Sequence, residues 1–119
     1  MKAIKKINRI LFCADFTVES DLAFEYALEV AAACHNSTLI LLHIVPEPDA
    51  QFWKGYLTTI ESIDENARAT IDAKLKEKYL DKIPPEQEVQ TSIVVGSPAK
   101  ELIKTIDEKE IDLFVFARP

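Results

Sequence analysis

The sequence predicts an α/β fold: an open, mostly parallel, twisted sheet with helices on both faces, Rossmann-like, in strand order 3-2-1-4. Three observations carry this. Four short runs rich in aliphatic and β-branched residues recur along the chain, at about 7–14, 38–45, 88–95 and 111–117. The stretches between them change to helical spacing. Polar or proline-containing turns mark each change of period. Alternation of strand and helix in this manner implies parallel strands joined by right-handed crossovers.

The first run, INRILFCA, ends in the polar turn Asp15-Phe16-Thr17. Beyond it Ala23, Ala27, Val30, Ala31 and Cys34 fall at helical spacing, with Phe24 and Leu28 widening the stripe. The small alanines predict a helix lying close against a sheet. Glu19 and Asp21 stand in its first turn, where acidic groups suit the positive end of the helix dipole. His35-Asn36-Ser37 breaks that helix, and TLILLHIV follows, apolar enough for a strand covered on both faces. Pro46 and Pro48 stop it, since proline cannot donate to a ladder.

Phe52, Trp53 and Tyr56 beside Gly55 fit either a loop or an irregular helix start. From Leu57 the helical period is clear, with Ile60, Ile63, Ala67, Ile71, Leu75 and Tyr79 on one stripe up to Ile83-Pro84-Pro85. EVQTSIVV reads as the third strand. Gly96-Ser97-Pro98 then turns into a helix, with Ser97 placed to cap and Pro98 at the first helical position. Ala99, Leu102, Ile103 and Ile106 form its apolar face, and IDLFVFA is the fourth strand.

With 119 residues, 48% of them hydrophobic and 29% charged, the chain fits one domain, 1–119, with a real core. A net charge of −6 argues against broad nucleic-acid binding, which relies on basic surface. Lys2, Lys5, Lys6 and Arg9 form the only basic cluster and read as a solvated strand entrance. The apolar run after them is too short for a signal peptide, and no stretch reaches the roughly 18 apolar residues of a membrane span. Cys13 and Cys34 give neither a disulfide framework nor a metal-ligand spacing, so a cytoplasmic protein with reduced thiols and no membrane association is expected.

In a sheet of this kind ligands bind outside the carboxyl ends of the strands. Those ends are Cys13-Ala14-Asp15, Ile44-Val45, Val95-Gly96 and Phe116-Ala117. Asp15 has two readings there: a carboxylate for a ribose hydroxyl or a metal, or a turn aspartate bonded to the backbone near Thr17. Gly96-Ser97-Pro98 reads as a helix cap more readily than as an anion site, because proline removes a donor and no glycine cluster accompanies it. His43, inside an apolar strand, reads as a structural histidine bonded to neighbouring backbone. No dinucleotide, P-loop or serine-elbow motif occurs, and no catalytic or metal residue is assigned. The third strand ends in Val94-Val95-Gly96, without the aspartate a response-regulator receiver needs.

ILFCADFT, the alanine-rich helix, LLHIVPEP, then Val95-Gly96-Ser97-Pro98, Glu101-Leu102-Ile103 and IDLFV occur in an order and spacing that resemble the universal stress protein family over essentially the whole chain. The resemblance implies a nucleotide crevice in which Cys13, Ala14 and Asp15 support ribose and phosphate. Ile44 would meet the base through its backbone, and Phe116 and Ala117 would add contacts. It also implies a homodimer, and ATP or another adenine nucleotide as ligand. The nucleotide-binding pattern continues as G-x-x-G, nine residues, G-[ST]; Ala117 stands at its first glycine, and the rest of the motif and a fifth strand are absent from the sequence. A short domain and one truncated at its C-terminus both fit. The resemblance thus favours a stress or regulatory module that binds an adenine nucleotide. A weak hydrolase using a metal on Asp15, and a protein-interaction module without nucleotide, are the alternatives.

Overall fold

The computed structural model describes residues 6–46 and 65–117. In chain order the elements are β1 (Arg9–Cys13), α1 (Val18–Ala33), β2 (Thr38–Pro46), α2 (Glu65–Lys78), a 3-10 turn (Leu80–Lys82), β3 (Glu88–Gly96), α3 (Pro98–Glu108) and β4 (Leu113–Val115). The four strands form one sheet in the order β3-β2-β1-β4, and every neighbouring pair is parallel, as the alternation of periods predicts. The aromatic trio Phe52, Trp53 and Tyr56, and the stripe residues Ile60 and Ile63, lie outside the described residues.

β1 and β2 lie at the centre because both their faces are apolar. Leu39, Ile40, Leu41 and Leu42 are all buried, so successive side chains on opposite faces both find cover. On one face Ile10, Phe12, Leu39 and Leu41 pack with Phe24, Ala27 and Ala31 of α1 and with Leu75 and Tyr79 from the end of α2. The alanines let α1 approach the sheet closely. On the other face Leu11, Ile40 and Leu42 meet Leu102 and Ile106 of α3, with Phe114 of β4.

The structure corrects the sequence reading in three places. Ala99 and Ile103 were expected on the buried face of α3 but are exposed, while Thr105 is buried. Ile103 follows Leu102 by one residue, which turns it about 100° round the helix and off the sheet. Ser97 occupies the N-cap of α3 with Pro98 after it, yet its side chain accepts no capping bond. β4 spans three residues rather than seven. Ahead of it the Asp112 carboxylate is turned back, its Oδ2 accepting the amides of Asn8 at 2.9 Å and Arg9 at 3.0 Å. The Asp112 carboxylate thus caps the start of β1, while its own N–H donates to Arg9 O at 2.9 Å just ahead of the strand.

Candidate functional site

The expected crevice residues come together at one end of the sheet. Cys13 pairs with Leu42 and Phe12 with Val115, so the ends of β2, β1 and β4 stand side by side. Each expected residue takes a different part. Cys13 is half-buried, and burial together with the nearby Asp15 charge pushes its thiol above the usual value, away from a reactive thiolate. Ala14 is buried, and both its main-chain groups are used: its N–H donates to Leu42 O at 2.8 Å and its carbonyl accepts from His43 Nδ1 at 2.6 Å. It forms the floor of the crevice. Because a carbonyl can only accept, His43 carries its proton on Nδ1, which is the structural role the sequence reading assigned to it.

The direction of the Ile44 main chain follows from the same ladder. Along a parallel strand the backbone N–H and C=O of successive residues point to alternate sides. Leu42 faces β1, as its bond to Ala14 shows. Ile44 therefore turns its N–H and C=O to the same side, beyond the last rung of β1 and next to an Ala14 carbonyl already taken by His43. Phe116 is exposed, its ring stacked on Phe114 with centroids 4.9 Å apart, and Ala117 follows it past the end of β4.

Asp15 closes β1 as the turn aspartate of the second reading. Its Oδ1 accepts from Thr17 N at 3.0 Å and from Thr17 Oγ1 at 2.6 Å. Burial pushes the carboxyl upward, but the hydrogen bonds from the side chain and main chain of Thr17 and from Ser20, with His43 nearby, outweigh it and hold Asp15 below its usual range. Thr17 also caps α1, its Oγ1 accepting the Ser20 amide at 3.1 Å. Asp15 remains exposed, and a carboxylate has about four acceptor positions. Serving as the turn residue does not use them up.

Ser20, Lys78 and Tyr79, which sequence reasoning did not assign to the site, hold this loop. Phe16 has φ 65°, in the left-handed region that non-glycine residues seldom enter. Its N–H donates to Tyr79 Oη at 3.3 Å, and its carbonyl accepts from Lys78 Nζ at 3.1 Å. The ring of Phe16 lies 4.7 Å from that of His43 and 5.9 Å from that of Tyr79. Tyr79 Oη is also 3.1 Å from the buried Ser20 Oγ, which accepts the Asp15 amide at 3.3 Å. Lys78, the last residue of α2, and Tyr79 just past it therefore both hold the β1–α1 loop. Periodicity marks Tyr79 as a core residue, but nothing in a local pattern tells where its hydroxyl goes.

At the end of β3, the Glu101 side chain folds closely over Gly96. A Cβ there would stand 2.7 Å from Glu101 Oε1. That carboxylate places negative charge at the start of α3, which supports reading Gly96-Ser97-Pro98 as a helix entrance and not an anion site. Among the described residues no three His, Cys, Asp or Glu side chains cluster as metal ligands. Cys13 and Cys34 are free, and no described helix is long and apolar enough to cross a membrane.

Residues 6–118 match the Universal stress protein family. The chain belongs to that family. Its fold is shared by the universal stress protein UspA from Lactobacillus plantarum, at TM-score 0.69 and 22% identity over 95% of this chain and 78% of that one. A universal stress protein in complex with cAMP superposes at TM-score 0.64 and 23% identity over 93% of this chain and 76% of that one. A family protein from Burkholderia pseudomallei gives TM-score 0.63 and 20% identity over 98% and 85%. No curated protein matches the sequence. In this universal stress protein fold the expected residues lie at the strand ends of a four-stranded parallel sheet in order 3-2-1-4.

Proposed function

We infer that this universal stress protein is a regulatory module of the stress response that binds an adenine nucleotide at the carboxyl ends of β1, β2 and β4. The observation that carries the reading is the main chain of Ile44, turned to the β1 side past the last rung and flanked by the exposed Asp15. An adenine edge presents one donor and adjacent acceptors, which a strand N–H and C=O can match. Asp15 is the acceptor for a ribose hydroxyl. The cAMP complex of a family member supports the ligand class. Ala117 in place of glycine, and a Glu101 carboxylate over Gly96, favour contacts to base and ribose over a phosphate-wrapping loop.

The test is to identify small molecules released from the purified protein by mass spectrometry, then titrate ATP and cAMP by calorimetry. Asp15→Ala is expected to weaken binding by about 1–3 kcal/mol, the effect of losing a hydrogen bond to a charged group. Tight binding that is indifferent to Asp15→Ala would refute the placement.

The module acts as a homodimer across β4. β4 pairs with β1 on one side only among the described residues. Its other side opens on a hollow of about 450 Å³ lined by Ala23, Tyr26 and Leu113 to Phe116. An open apolar edge favours pairing with another chain. Sedimentation should show a dimer, and a monomer over a wide concentration range would sink this reading. Asp112 is unsuited to probing the interface, because it caps β1.

A further inference from the structure

α1 carries a second apolar line, on the side away from the sheet. Phe24, Ala27 and Ala31 are its buried face. Val18, Leu22 and Tyr26, spaced by four residues, are 71%, 64% and 61% exposed. At 3.6 residues per turn these three side chains form a continuous stripe along the outside of the helix. Single exposed hydrophobic residues are ordinary, but three aligned on one face make a contiguous patch, the usual mark of an interaction surface.

The charge around the stripe is of one sign. α1 holds Glu19, Asp21, Glu25 and Glu29 and no lysine or arginine. Asp21 is neutralised by Lys78 at 3.6 Å. Glu19, Glu25 and Glu29 are exposed and belong to none of the ion pairs among the described residues. A helix meant only for solvent is ordinarily stabilised by alternating acid–base pairs four residues apart. This one has apolar anchors with an acidic rim instead.

We propose that the outer face of α1 is a docking surface for a basic amphipathic helix of a partner protein, whose apolar residues seat on Val18, Leu22 and Tyr26 while its lysines or arginines meet Glu19, Glu25 and Glu29. The charge decides the occupant. A second copy of this chain would bring glutamates against glutamates, and like charges at an interface disfavour the pairing. A basic helix removes that repulsion and satisfies both features, in the helix-on-apolar-face mode anchored at i and i+4. The surface is separate from the crevice, so nucleotide binding does not enter the proposal; at its end Tyr26 also lines the hollow beside β4.

The probe is a fluorescein-labelled synthetic helical peptide with leucines at i, i+4 and i+8 and lysines on either side. A peptide of the same composition in scrambled order is the control. Fluorescence anisotropy should show saturable binding of the ordered peptide, weakened by added salt, with the scrambled peptide at least about tenfold weaker. Leu22→Ser and Glu25→Lys should each weaken the ordered peptide by about tenfold or more, with unchanged thermal unfolding because both side chains are exposed. Equal binding of the scrambled peptide would reduce the effect to bulk charge and overturn the proposal. So would indifference to Leu22→Ser, or sedimentation showing that Leu22→Ser dissolves a dimer, which would give the face to a second copy.

Discussion

Phe12→Ala is expected to lower the unfolding free energy by about 3–5 kcal/mol, a large part of the 5–15 kcal/mol typical of a small domain. Phe12 lies in the central strand and is fully buried. Its ring meets Phe24 with centroids 5.2 Å apart and Tyr79 at 5.6 Å, so one side chain joins β1, α1 and the end of α2. Truncation removes the transfer energy and leaves a cavity whose walls are themselves aromatic rings fixed by other contacts, so the site cannot easily collapse. Urea unfolding followed by circular dichroism measures the change. A loss under about 1 kcal/mol would mean that the three elements are not packed on this ring.

Tyr79→Phe is expected to cost about 1–3 kcal/mol although it removes one oxygen and no carbon. Two partners lose their bond: the Phe16 N–H and the buried Ser20 hydroxyl. Burial raises the Tyr79 hydroxyl above its usual pKa, so it stays protonated through the physiological range and able to both donate and accept. Hydrogen exchange at the Phe16 amide separates this account from simple loss of packing. Exchange there should quicken more than at amides of β2, because the aromatic ring is kept and only the bond to the loop is cut. Equal quickening throughout the sheet would show that Tyr79 supports the core alone.

How much of this was legible depends on whether a feature is local. The centre of the sheet was, because Leu39 to Leu42 and Ile10 to Phe12 are apolar on both faces, and only a covered strand tolerates that. Strand order followed from alternation and the handedness of crossovers. The limits of β4 were not, since an apolar run cannot show that Asp112 turns away to cap residues 8 and 9. The outward turn of Ile103 was missed because one residue decides which side of a helix a side chain takes. The strand-end rule put Asp15 and Ile44 at the same end of the sheet, where the pairing of β1 with β2 has them. The grip on Phe16 escaped notice because Lys78 and Tyr79 lie 62 and 63 residues away from it in sequence. Local patterns report faces and periods, and long-range hydrogen bonds leave no such trace.

The parallel order β3-β2-β1-β4 also has a temporal meaning. β1 is made first and stands inside the sheet, with β2 on one flank and β4 on the other. On the ribosome its first flank can close once residues 38–42 have emerged, but its second waits for residues 113–115. Until then the rungs at Ile10, Leu11 and Phe12 have no partner on that side, and the amides of Asn8 and Arg9 have no Asp112 to receive them. A central strand of the finished molecule is thus an unpaired edge for most of its synthesis, with contacts of long sequence separation formed last.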